Sequence, residues 1–91
     1  MVDVKTAVAK AIRFAQDILE PRRSSDMLLE EVDRVTEGGR DVWLITLSLQ
    51  IPMSAARAAM GGEGRDYKTV KIDAETGEVL SMKIRDLDSA R

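Results

Sequence analysis

Between positions 4 and 19 the apolar residues recur every three or four places. Val4, Ala7, Val8, Ala11, Ala15, Ile18 and Leu19 form one stripe, with Ile12 and Phe14 beside it, and Asp3, Thr6, Lys10, Arg13 and Asp17 lie opposite. That period predicts an amphipathic helix over residues 3–19. Asp3 stands where an N-cap or first-turn acid is favoured by the orphan amides and the helix dipole. Much of the inward stripe is Ala, so the helix backbone can lie close to a sheet. Pro21 disfavours helical geometry at Glu20 and ends the element.

After a polar connector, 22–26, the period falls to two. Trp43, Ile45, Leu47, Leu49 and Ile51 alternate with Leu44, Thr46, Ser48 and Gln50, and Pro52 stops the run. One apolar and one largely polar face is the mark of a strand in an antiparallel sheet with one side on the core. Met27 to Thr36 reads as a poorly patterned first strand. Val32 and Val35 cannot share a face under strict alternation, so either a bulge lies between them or Glu30 to Asp33 lie at an edge. Glu37 to Arg40 is a turn in which Gly38 and Gly39 supply positive φ. Tyr67 to Asp73 is a third strand with Val70 and Ile72 on one face. Asp73 to Glu78 is a hairpin turn with Gly77 left-handed. Val79 to Ile84 is a fourth strand, with Leu80, Met82 and Ile84 expected to face inward. Residues 53–66 read as a flexible inter-strand insertion and 86–91 as a frayed tail. The expected structure is a single α+β domain over 1–91, an N-terminal helix packed across a curled four-stranded antiparallel meander.

Composition narrows function by exclusion. The chain has 91 residues, with 14 Lys+Arg against 16 Asp+Glu, no His, no Cys and 3% aromatic residues. Without Cys there is neither a disulfide framework nor a thiolate metal site. Without His the usual general base and commonest transition-metal ligand are missing. A net charge of -2 argues against nucleic acid as a partner, and Arg22, Arg23, Arg57 and Arg65 are too sparse for a basic footprint. Lys5, Lys10 and Arg13 interrupt any signal-peptide core, and the longest strongly apolar run, Val42 to Leu47, is far below the ~20 residues a spanning helix needs. The expected location is the cytoplasm, with a fragment of a longer secreted parent as the alternative.

Few constellations invite chemistry. Asp73, Glu75 and Glu78 suggest calcium, but the turn is half the length of an EF-hand loop, and Asp73 is better read as bonding turn amides. Glu30, Glu31 and Asp33 suggest an acid/base pair, yet neighbours on a strand point to opposite faces, so Glu30 and Glu31 are not expected to share a site. Gly61-Gly62-Glu63-Gly64-Arg65 lacks the Gly-Lys-Ser/Thr ending of a phosphate loop. No catalytic, cofactor or metal residues are therefore assigned.

Residues 67–80, Tyr-Lys-Thr-Val-Lys-Ile-Asp-Ala-Glu-Thr-Gly-Glu-Val-Leu, resemble the C-terminal signature of PepSY and PepSY-like domains, in which a strand ending in Val/Ile-Asp runs through a Thr-Gly turn into a Val-Leu strand. The Ala-spaced helix (Ala7, Ala11, Ala15) looks like the opening of that family, and Trp43-Leu44-Ile45-Thr46-Leu47 sits where it has an aromatic-led central strand. The resemblance covers about two-thirds of the chain. It implies a cystatin-like helix-plus-sheet fold, of a kind found in propeptides and cell-envelope proteins and proposed to bind or inhibit peptidases.

The expected function is thus a non-catalytic protein- or peptide-binding module, with a self-associating dimeric structural protein as the alternative. Trp43, Leu44, Tyr67, Val79 and Met82 are the candidate partner-binding residues. Val79 to Ile84 is the preferred edge for a docked strand, and Val42, Leu44 and Val79 the expected apolar seed of a dimer.

Overall fold

The computed structural model describes residues 1–19, 27–50 and 65–85. The connector 22–26, most of the expected 53–66 insertion and the 86–91 tail lie outside them. Helix α1 runs Val4–Ile18, one residue inside the predicted range at each end. Its start follows from Asp3, whose backbone is extended and whose Oδ1 accepts the Thr6 amide at 2.9 Å. Hydrogen bonds from the Thr6 side chain and backbone favour the charged form and hold the Asp3 carboxyl below its usual range.

Four strands follow: β1 (Leu28–Glu37), β2 (Arg40–Gln50), β3 (Arg65–Asp73) and β4 (Val79–Arg85). They form one antiparallel sheet in the order β1-β2-β3-β4, so every described pairing joins neighbours in the chain. Gly38 and Gly39, at φ 55° and 77°, make the β1–β2 turn. Asp73 organises the β3–β4 turn: its Oδ1 accepts the Glu75 and Thr76 amides at 2.7 and 3.2 Å. Gly77, at φ 78°, completes that turn.

Residues directly opposite one another share a face, so the register sorts the sheet. Trp43, Ile45 and Leu47 face α1 together with Ile72 and Val70. Ala7, Ala11 and Ala15 close on Ile45, Leu47, Val70 and Ile72, all at most 1% exposed. The alanine stripe therefore does what close helix–sheet approach requires. Valine, isoleucine and tryptophan side chains around it (Val8, Ile12, Val32, Trp43) complete the packing.

Two bulges correct the sequence reading. In β1 the extra residue is Glu30, between Leu29 opposite Leu47 and Glu31 opposite Thr46. The bulge lies before Val32, not between Val32 and Val35, which simply occupy opposite faces of an edge strand. In β4 the extra residue is Leu80, between Val79 opposite Ile72 and Ser81 opposite Lys71. Val79 and Met82, rather than Leu80 and Met82, therefore pack on the core. Ile84 keeps the predicted face but is 73% exposed.

The radius of gyration is 14.5 Å, against about 12 Å for a compact chain of this length. The reason is geometric. The 15 residues of α1 span about 22 Å, whereas the 11 residues of β2 span about 37 Å. One helix does not roof the whole sheet, and Leu29 and Ile84, at the same level on the two edge strands, are left exposed.

Candidate functional site

The structure does not bring the five candidate residues together. Trp43, Val79 and Met82 lie on the helix side of the sheet, while Leu44 and Tyr67 lie on the other, set opposite Lys71 and Ser48. Val42 is 1% exposed and Val79 is on the far side from it, so the expected Val42–Leu44–Val79 patch is not assembled. Trp43 is already engaged. Its Nε1 donates to the Val2 carbonyl at 3.2 Å, and the Arg34 guanidinium stands 5.5 Å from its ring centre. Arg34 is held there by Asp41 at 2.9 Å, and Thr36 donates to the other Asp41 oxygen at 2.7 Å. The Thr36 and Arg34 hydrogen bonds keep the Asp41 carboxyl below its usual range.

Asp73 is 5% exposed and fully occupied. One oxygen holds the turn amides and the other meets Arg40 at 3.1 Å. It is a turn-building residue, held by two amides and a guanidinium. The carboxylates of β1 are arranged differently from the expectation. Because Glu30 is the bulge residue, its Oε2 reaches the Ser48 hydroxyl at 2.7 Å on the face that also carries Thr46, and hence Glu31. Glu30 and Glu31 thus share a face after all. Among the described residues, however, no group of three acids is placed to hold a metal ion.

The two edges of the sheet differ in what they offer a strand. β1 carries Glu30, Glu31, Asp33 and Glu37, and its bulge breaks the row of outward amides and carbonyls. Charge and a bulge are the usual defences of an edge. β4 has its bulge near its start, at Leu80, leaving Ser81 to Arg85 regular against Lys71 to Tyr67. At the start of β4 an open groove lies against α1, lined by α1 residues from Thr6 to Asp17, with Lys10, Arg13 and Phe14 among them, and by Gly77 and Val79. Phe14, half-buried, stands outside the core cluster and supplies an apolar wall.

This groove is what sequence reasoning missed. Its one signal was Phe14, a large apolar residue beside the stripe rather than on it. The groove is rigid at one end. Val2 donates its amide to Ala74 O at 2.7 Å, Ala74 donates to Asp41 O at 3.0 Å, and the Lys10 stem lies against Gly77. Nothing in known protein families, among characterised proteins or among solved structures matches this chain.

Proposed function

We propose that the protein is a non-catalytic binding module of PepSY-like type, whose docking element is the edge of β4 that pairs with no described strand. The observation that carries this reading is the asymmetry of the two edges. β1 is bulged at Glu30 and lined with carboxylates, whereas Ser81 to Arg85 of β4 is regular, and a groove against α1 opens at Gly77 and Val79, at the start of that strand. An extended segment added there would gain main-chain hydrogen bonds from the strand, and pockets for alternate side chains would supply selectivity. Ile84, 73% exposed at the end of the strand, would lose its water contact.

The test is selection of short peptides from an unbiased library on the full chain, followed by mapping of the enriched peptides by amide chemical shifts. The reading expects perturbations along Val79 to Arg85 and on the Phe14 side of α1, and expects Ile84→Asp to abolish them. Enriched peptides that map to β1, or a library that enriches no sequence, would refute it.

A further inference from the structure

The charges around β4 are uneven. Lys10 lines the groove on the helix side, and Lys68 stands opposite Ile84 on that same face. Lys83 stands opposite Thr69 on the other face. Among the described residues none of these three lysines has an ion pair. The acids near them include Asp17, which pairs with Arg13 at 3.5 Å, Asp66, two residues before Lys68 on the same face of β3, and Glu78, exposed in the turn before the strand. The apolar residues on the helix face are Phe14 and Val79, which line the groove, and Met82 and Ile84, further along β4.

We propose that the β4 edge takes an extended segment of a partner protein in which acidic residues alternate with apolar ones. The inference rests on the reading of β4 as the docking edge and adds the chemistry of the occupant. In a strand paired with β4, alternate side chains point to the two faces of the sheet. Those on the helix side meet Phe14, Met82 and Ile84 and are apolar. Those on the other side meet Lys83 and are acidic. At the Gly77 end the helix-side position comes within reach of the Lys10 ammonium, and an acid is favoured there too. Opposite charges on directly opposed strand positions stabilise pairing and like charges destabilise it. A second copy offering its own β4 is disfavoured for the same reason, because it brings lysines toward lysines. A second copy offering β1 has the right sign of charge but carries the Glu30 bulge.

The experiment titrates the full chain with three capped peptides of seven residues, the length of β4. Valine alternates with glutamate in the first, with glutamine in the second and with lysine in the third. The glutamate peptide is expected to shift the amides of Val79 to Arg85, to bind about tenfold more tightly than the glutamine peptide, and to weaken as salt is raised. Lys83→Glu is expected to reverse the preference toward the lysine peptide. Because Lys83 is exposed and remote from the core, that variant keeps the fold. Equal binding of the glutamate and glutamine peptides at β4 would overturn the acidic preference and leave strand docking intact. Shifts on β1, or no binding of any peptide, would overturn strand docking itself. A scattering mass of the free chain that climbs with concentration would show that a second copy occupies the edge, and would overturn the proposed occupant.

Discussion

Replacing Gly77 with Ala separates two costs that the structure places on one residue. Gly77 has φ 78°, in the left-handed region. A side chain there costs about 1–2 kcal/mol from the clash of Cβ with the following carbonyl. Gly39, at φ 77°, carries the same backbone cost, but a Cβ built on it meets nothing within 4 Å. A Cβ on Gly77 meets Lys10 Cε at 2.9 Å and Val2 Cγ1 at 3.2 Å. The lysine end swings away easily. Val2 does not, because its χ1 is stiff and its backbone is pinned by Ala74 and by Trp43. Displacing it adds about 0.5–1.5 kcal/mol, the cost of an off-rotamer side chain. Gly77→Ala is therefore expected to destabilise by about 2–3 kcal/mol, roughly 1 kcal/mol more than Gly39→Ala. Urea unfolding of both variants gives the comparison directly. In a double-mutant cycle Val2→Ala should recover most of the difference and Lys10→Ala little of it. Equal costs at Gly39 and Gly77, or recovery by Lys10→Ala rather than Val2→Ala, would refute the reasoning.

Three further predictions concern the core, the turn and the acid limb. Ala11 is 0% exposed between helix and sheet, so Ala11→Leu should cost about 1–3 kcal/mol by overpacking, while Ala9→Leu on the exposed side should lie within about 0.5 kcal/mol of the parent in urea unfolding. Asp73→Ala leaves two turn amides and Arg40 without their acceptor and should cost about 2–3 kcal/mol, whereas Asp73→Asn, which keeps an acceptor for the amides, should cost about half as much. Thermal melts that rank the two variants in the opposite order would count against the turn assignment. Asp3 and Asp41 have carboxyls held below the ordinary value of about 3.9. Their contribution is present above that value and is lost as the pH falls through their lower folded values. An Asp3→Ala/Asp41→Asn variant should therefore show a shallower loss of stability on acidification than the parent, and parallel acid limbs would contradict it.

Much of the fold is legible in the sequence because its signals are local. Residues 4–18 carry a helical period and an N-terminal acid, and the structure starts the helix where Asp3 caps it. Residues 43–49 carry a strand period, and Trp43, Ile45 and Leu47 face the helix while Leu44, Thr46 and Ser48 lie on the other side. The bulges were illegible for a specific reason. Glu30 and Glu31 are identical, so an inserted residue leaves no break in the pattern. Val79 and Leu80 are both apolar, so counting back by two from Met82 lands on Leu80, whereas the bulge shifts the inward position to Val79. Ile84 fails differently. Alternation assigns its face correctly, but burial depends on what lies above that face, and α1 is too short to cover both ends of the sheet. The candidate site depended on all of these non-local facts. Only Phe14, set beside the helical stripe, marked the groove in advance.

The two ends of the β4 edge differ in mechanical character, and that bears on how it would bind. At the Gly77 end, the chain start, the β3–β4 turn and the start of β2 are joined by four contacts: Val2 to Ala74, Ala74 to Asp41, Trp43 to Val2, and the Lys10 stem on Gly77. At the Ile84 end the strand stands beside solvent. Preordered contacts cost less on binding than contacts that must first be ordered. The Gly77 end thus acts as the anchor and the Ile84 end as the part that adjusts to the occupant. Gly77 then serves two ends at once. Its missing Cβ admits the Lys10 stem, and the position of that stem sets where the Lys10 ammonium meets a docked acid. A substitution at Gly77 should therefore weaken a peptide whose helix-side residue at the Gly77 end is glutamate more than one with glutamine there, a discrimination that a loss of fold stability alone would not produce.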